Sequence, residues 1–158
     1  MYPPRFVASL STVSNLHVDH SCSLCQLVRG DLPTSRVYED EHVVAFMDHQ
    51  PVTPGHVLVV TRQHTALLDD LDEDLGAHVY RVAHRLSRAL RRCGLRCEGV
   101  NLFLADGAAA FQEIPHVHMH AFPRYPGDSF RMDADWRIRP PAELDDAAAL
   151  VRSALQRL

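Results

Sequence analysis

Apolar residues recur at three- and four-residue steps through Leu68, Leu71, Leu75, Val79, Val82, Leu86, Leu90 and Cys93, which predicts one long amphipathic helix over 68–93. Asp70 with Glu73 three residues later resembles a capping pair at its start. Arg91 and Arg92 suit its negative end, and Gly94 its stop. Before this helix, runs rich in Val, Tyr and Phe at 37–39 and 42–47 read as two strands around the turn Asp40-Glu41. Pro51, Pro54 and Gly55 then break the chain ahead of an apolar strand over 56–61. After the helix come a strand over 100–105, a loop from Asp106-Gly107 through Ala110, and a strand over 115–122, with proline tolerated at its first position. A short helix over 22–29, stopped by Gly30 and Pro33, precedes the strands, and an amphipathic helix over 143–158 follows them. The pattern predicts an α+β fold, an antiparallel meander sheet packed on one long central helix. Residues 1–20, with Pro3-Pro4 and little periodicity, read as a flexible arm. Residues 126–158, with Trp136, read as a C-terminal extension packing on the core.

Composition narrows the classes. The 158 residues suffice for one domain, and a formal charge of -4 gives no bulk attraction to nucleic acid. No stretch approaches a membrane span, and 1–15 lacks the charged head and apolar run of a secretory signal, so the expected location is cytoplasmic. Four cysteines form two close pairs, Cys22/Cys25 and Cys93/Cys97, which suggest metal ligands, redox groups or core residues before disulfides. Histidine is over-represented, at 11 residues. Three at alternate positions are expected by chance about 0.05 times in such a chain.

Three do stand at alternate positions, in His116-Val117-His118-Met119-His120. On a strand, the histidines share one face and the apolar residues the other, so an imidazole stripe opens into a cleft above a core-facing stripe. One metal held by all three is strained, because His116 and His120 would lie about 13 Å apart at the backbone. Nucleophilic attack on phosphorus fits better: neutral imidazole is populated at pH 7, one nitrogen attacks, the other fixes the tautomer, and a neighbouring histidine offers a proton to the leaving atom.

The run His116 to Phe122 resembles the histidine triad (HIT) pattern. Cys22-Ser23-Leu24-Cys25, Val37-Tyr38-Glu39-Asp40 and Phe46-Met47-Asp48 through Pro51-Val52-Thr53-Pro54-Gly55-His56 resemble the same family in the same order, from about residue 21 to 125. The resemblance implies a homodimer whose sheet continues across the interface. It also implies attack on the α-phosphorus of a purine nucleotide derivative through a nucleotidyl-histidine intermediate. His118 corresponds to the nucleophile and His120 to the residue assisting the leaving group. Asp48 corresponds to the residue holding the ribose hydroxyls. Leu24, Leu27, Phe46, Met47 and His56 fall in the nucleotide pocket, and Gln112 matches a phosphate-contacting glutamine. In zinc-bearing members, the matching ligands are Cys22, Cys25, His64 and His116, which implies a structural zinc.

Three positions depart from the pattern: Phe111 replaces a usual glycine, Glu113 a hydroxyl residue and Ala105 an amide. A carboxylate at 113 would repel a phosphate unless it turns away or is protonated. Three functions remain open on these residues: a hydrolase or nucleotidyl transferase acting on dinucleoside polyphosphates or nucleoside phosphoramidates, a slow-turnover nucleotide-binding regulator or adaptor, and a metallohydrolase using the triad as ligands.

Overall fold

Five short apolar runs pair into one antiparallel sheet in a computed structural model that describes residues 21–158. The arm expected over 1–20 lies outside the described residues. The strands are β1 (Arg36–Glu39), β2 (Val43–Met47), β3 (Val57–Thr61), β4 (Gly99–Leu104) and β5 (His118–Arg124). The helices are α1 (Ser23–Arg29), α2 (Glu73–Leu90) and α3 (Pro141–Leu155). The class is α+β. Spatial order is β1-β2-β3-β5-β4, so β1 to β3 form a meander, α2 carries the chain to the far edge, and β5 returns between β3 and β4.

Strand alternation divides the sheet into two working faces. Val43, Ala45, Val57, Val59 and Ala121 pack against Val79, Val82, Ala83 and Leu90 of α2. Each valine or leucine among them, fully buried, stabilises the fold by about 1.5–3 kcal/mol. Val44, Phe46, Leu58 and Val60 face the other way, against Leu24, Cys25 and Val28 of α1. His118 pairs with Val60 and His120 with Leu58, so these histidines share the α1 face. One helix supports the sheet from behind while the other leaves room for a cleft in front.

Element boundaries differ from the sequence pattern where local hydrogen bonds decide. Leu71 is extended (φ -88°, ψ 133°), so only a 3-10 turn forms over Leu68–Asp70. Asp72 rather than Asp70 caps α2, accepting the Leu75 N–H at 3.0 Å. The helix ends at Leu90, ahead of the left-handed Gly94. β5 starts three residues later than its pattern, because Pro115 has no N–H and Val117 donates instead to the Thr65 carbonyl at 2.7 Å. His116 therefore stands in the approach to the strand rather than on it.

The C-terminal extension is anchored only at its beginning. Arg124 and the N–H groups of Tyr125 and Phe130 bond the buried Asp128 carboxylate, and the Phe130 ring stacks 5.2 Å from Phe122. Beyond this point Trp136 is exposed, and α3 exposes nearly every side chain. The packing expected for 126–158 is thus confined to its first residues.

Two glycines test the steric account. Gly55 has φ +96°, and a Cβ there would lie 2.8 Å from Leu95 Cδ1 and 3.0 Å from Pro123 Cγ, whereas Gly94 at φ +86° faces open space. Gly94→Ala should cost about 1 kcal/mol of left-handed strain, and Gly55→Ala should cost more by about 1–3 kcal/mol of overpacking. Urea midpoints of the two variants check the order.

Candidate active site

The site forms where β5 emerges between β3 and β4. His118 sits at the start of β5 with its Nδ1 2.6 Å from the His116 carbonyl oxygen. A carbonyl only accepts, so Nδ1 carries the proton and Nε2 keeps its lone pair. His120 follows one pleat later on the same face, its ring centroid 4.8 Å from that of His118. Behind it, His56 Nε2 lies 2.9 Å from His120 Nδ1. The Val52 N–H donates to His56 Nδ1 at 3.2 Å, which places the His56 proton on Nε2, pointing at His120. His120 in turn accepts at Nδ1 and holds its own proton on Nε2. The three tautomers follow from two backbone groups, the His116 carbonyl and the Val52 N–H.

Burial disfavours the charged form of His56, His116 and His120. It pushes His120 down to about 4, aided by His118 and His56 and opposed by the Asp48 carboxylate. His56 is lowered mainly by burial too, although Asp48 lies 3.4 Å from its Nδ1 and favours the charged form. His116, fully buried, is pushed down to about 4 by burial, against a hydrogen bond to the Thr61 backbone.

A cleft of about 760 Å³ opens over these residues. Leu24, Leu27, Phe46, Met47, Asp48, His56, His118 and His120 all line it, so eight residues proposed from the sequence converge. Asp48 is held by the Gln50 N–H at 2.8 Å. Gln112 is not part of the lining: its amide accepts from the Gly107 N–H at 2.8 Å and donates to the Ala66 carbonyl at 2.7 Å, tying down the loop that precedes β5. Phe103, Phe122 and Phe130 also line the cleft and were not singled out from the sequence, since apolar periodicity cannot separate a pocket wall from core. Glu113 and Phe111 face the same space, and Ala105 is buried.

His116 belongs to a separate cluster. Its Nδ1 lies 3.5 Å from Cys22 Sγ and 3.4 Å from Cys25 Sγ, and His64 Nδ1 lies 3.3 Å from Cys25 Sγ. All four donor atoms fall within 4.8 Å of one another. A tetrahedral zinc with ordinary Zn–S and Zn–N lengths separates sulfur from nitrogen by about 3.5 Å. The observed spacings fit that donor set. His116 Nε2 lies 2.8 Å from the Thr61 carbonyl, the kind of partner that orients a metal-binding histidine and leaves Nδ1 available. Thr61 carried no sequence signal for this role. Asp48, His56 and His120 also bring donor atoms within 4.8 Å, but there the two histidines already spend their facing nitrogens on each other. No single ion draws on all three triad histidines in this arrangement. Cys93 is exposed and Cys97 half-buried, away from either group.

Comparisons with known proteins agree with this geometry. The HIT domain profile matches residues 29–127. The chain is 36% identical to Protein hit of Bacillus subtilis over 145 residues, covering 89% of this chain and 98% of that one. It is 28% identical over 120 residues to an adenosine 5'-monophosphoramidase of Schizosaccharomyces pombe, covering 76% of this chain and 86% of that one. Among solved structures, it is similar to a zinc-bound histidine triad family protein from Mycobacterium smegmatis, with 44% identity, a TM-score of 0.67, and coverage of 73% of this chain and 84% of that one. With the profile spanning most of the chain, His118 and His120 on β5 and His116 in its approach, the protein belongs to the histidine triad (HIT) family.

Proposed function

We propose that this chain is a nucleotide hydrolase or nucleotidyl transferase that attacks the α-phosphorus of a nucleoside phosphoramidate or dinucleoside polyphosphate through His118. The observation that carries this reading is the 2.6 Å bond from His118 Nδ1 to the His116 carbonyl, which leaves Nε2 unprotonated at the floor of the cleft. The adenosine monophosphoramidase activity named for the fission-yeast relative supports the same bond class.

The residues assign themselves to steps. Asp48 accepts the ribose hydroxyls, while Leu24, Leu27, Phe46 and Met47 form an apolar slot for a purine base. His118 Nε2 attacks phosphorus, and the bond to the leaving atom breaks with its electron pair going to that atom. Once a phosphate anion lies beside it, His120 takes up a proton and carries one on each nitrogen. His56 then shifts its own proton to Nδ1, beside Asp48, and accepts from His120 Nδ1, while His120 Nε2 gives its proton to the leaving atom. In the second half, His120 takes a proton from water as oxygen attacks phosphorus, and His118 is released. His56, bonded to His120 Nδ1, holds that ring in register for both transfers.

We further propose a structural zinc on Cys22, Cys25, His64 and His116. A bound ion there would tie the start of α1 and the segment after β3 to the approach of β5. A homodimer through the open edge of β4 completes the reading, since an uncovered edge strand offers a ready pairing surface.

Three outcomes follow. Incubation with an α-phosphate-labelled adenosine phosphoramidate should give acid-labile label on wild-type protein and none on His118→Asn. Turnover without label at His118 would sink the covalent step. Purified protein should contain one zinc per chain. His64→Ala should lose it and melt lower by on the order of 5 °C, about 1–2 kcal/mol for a domain this size. Binding should also take up a proton. His120 is neutral in the free protein down to about 4, and a monoanion beside it raises that value. Affinity for adenosine 5'-O-methyl phosphate should therefore rise as pH falls from 7.5 to 5, by calorimetry, and His120→Gln should flatten the slope.

A further inference from the structure

The cleft has a distinctive electrostatic lining. Among the described residues, two carboxylates, Asp48 and Glu113, line it, and no arginine does. The sequence offers no other strong base, because all 16 basic residues are arginines. Glu113 has no hydrogen-bond or ion-pair partner among the described residues. A leaving group carrying several phosphates would meet uncompensated negative charge.

Register shows where such a group would lie. Met47 is level with Val57 and Ala121, so Asp48 stands toward the Phe122 end of β5. Val44 is level with Val60 and His118, at the opposite end, where the loop from β4 enters. A nucleotide with its ribose at Asp48 and its phosphorus at His118 directs its remaining substituent toward that loop. Phe111 and Glu113 are on it. Phe111 is the only non-glycine with positive φ among the described residues (φ +69°), and it lines the cleft while 82% exposed as a residue. That backbone costs about 1–2 kcal/mol relative to an ordinary conformation, and no core packing of the ring offsets it.

We propose that Glu113 and Phe111 form a leaving-group subsite that selects nucleoside 5'-phosphoramidates whose leaving amine carries a second, cationic group. The carboxylate supplies a counter-charge, and the exposed phenyl face supplies a cation–π surface beside it. This deepens the function proposed above and rests on it. The P–N bond breaks with its electron pair going to the amine nitrogen, which takes the proton held by His120. The distal cation takes no part in that exchange and contributes only binding at Glu113.

Three adenosine phosphoramidates of matched length test this, built on 1,5-diaminopentane, hexylamine and 6-aminohexanoate. The expected order of kcat/KM is cationic, neutral, anionic, with about fivefold between neighbours, as for partly exposed charge pairs. In Glu113→Gln the ratio of cationic to anionic substrate should collapse toward one. Phe111→Gly should lower the rate on the cationic substrate more than on the neutral one. An unchanged ratio in Glu113→Gln, or faster turnover of the anionic substrate or of diadenosine tetraphosphate, overturns the proposal. Binding of the same three compounds to His118→Asn separates the two readings. If the proposed reaction fails but the subsite is real, nothing turns over and the order of dissociation constants persists. If no charge order appears in either measurement, the subsite is wrong.

Discussion

The working parts of this chain depend on how His116 is held. Its ring is withdrawn from water completely, which is costly for an imidazole unless both nitrogens are satisfied. One nitrogen meets the Thr61 carbonyl and the other faces the two thiols of α1. Fixing that side chain also fixes the peptide behind it, and its carbonyl is the group that sets the His118 tautomer. A single buried residue therefore joins α1, β3 and the entry to β5, and its carbonyl leaves the Nε2 of His118 without a proton.

The rest of the fold makes that arrangement rigid. α2 covers the back of the sheet with branched side chains, so the strand carrying His118 and His120 has little freedom to shift. On the front, the same burial that builds the cleft keeps His120 and His116 neutral. There His56 and His120 are bonded to each other at 2.9 Å. Asp48 and Glu113 line the same cleft, and under the function proposed above they would favour an anion with few charges.

Parts of this were legible in the sequence and parts were not, for identifiable reasons. The strands of the first meander, the existence of α2 and the shared face of His118 and His120 follow from residue periods of two and about 3.6, which are local properties. The cap of α2 was misplaced by two residues because Leu68 and Leu71 continue the apolar rhythm through a segment that is not α-helical. The start of β5 shifted because Val117 bonds to Thr65, far back in the chain. Gln112 ties its own loop instead of lining the cleft, a choice set by the position of the Ala66 carbonyl rather than by anything near residue 112.

By itself the sequence determined the α+β class, the apolar faces that make the core, and the set of residues able to do phosphorus chemistry or bind a metal. Side-chain chemistry and strand alternation suffice for the class and the faces, since both are carried by neighbouring residues, whereas the pairing of Cys22 and Cys25 with His64 and His116 was implied by the family resemblance. The family resemblance implied a division of work among the three histidines, and only the tertiary structure supplied the contacts that separate them. It turned His116 toward Cys22, Cys25 and His64, and it paired His120 with His56 across two strands. It also placed Glu113 and Phe111 at the far end of the cleft from Asp48. Those relations join residues as much as 94 positions apart, and they arise when burial brings separate segments together and each buried polar group has to find its partner there.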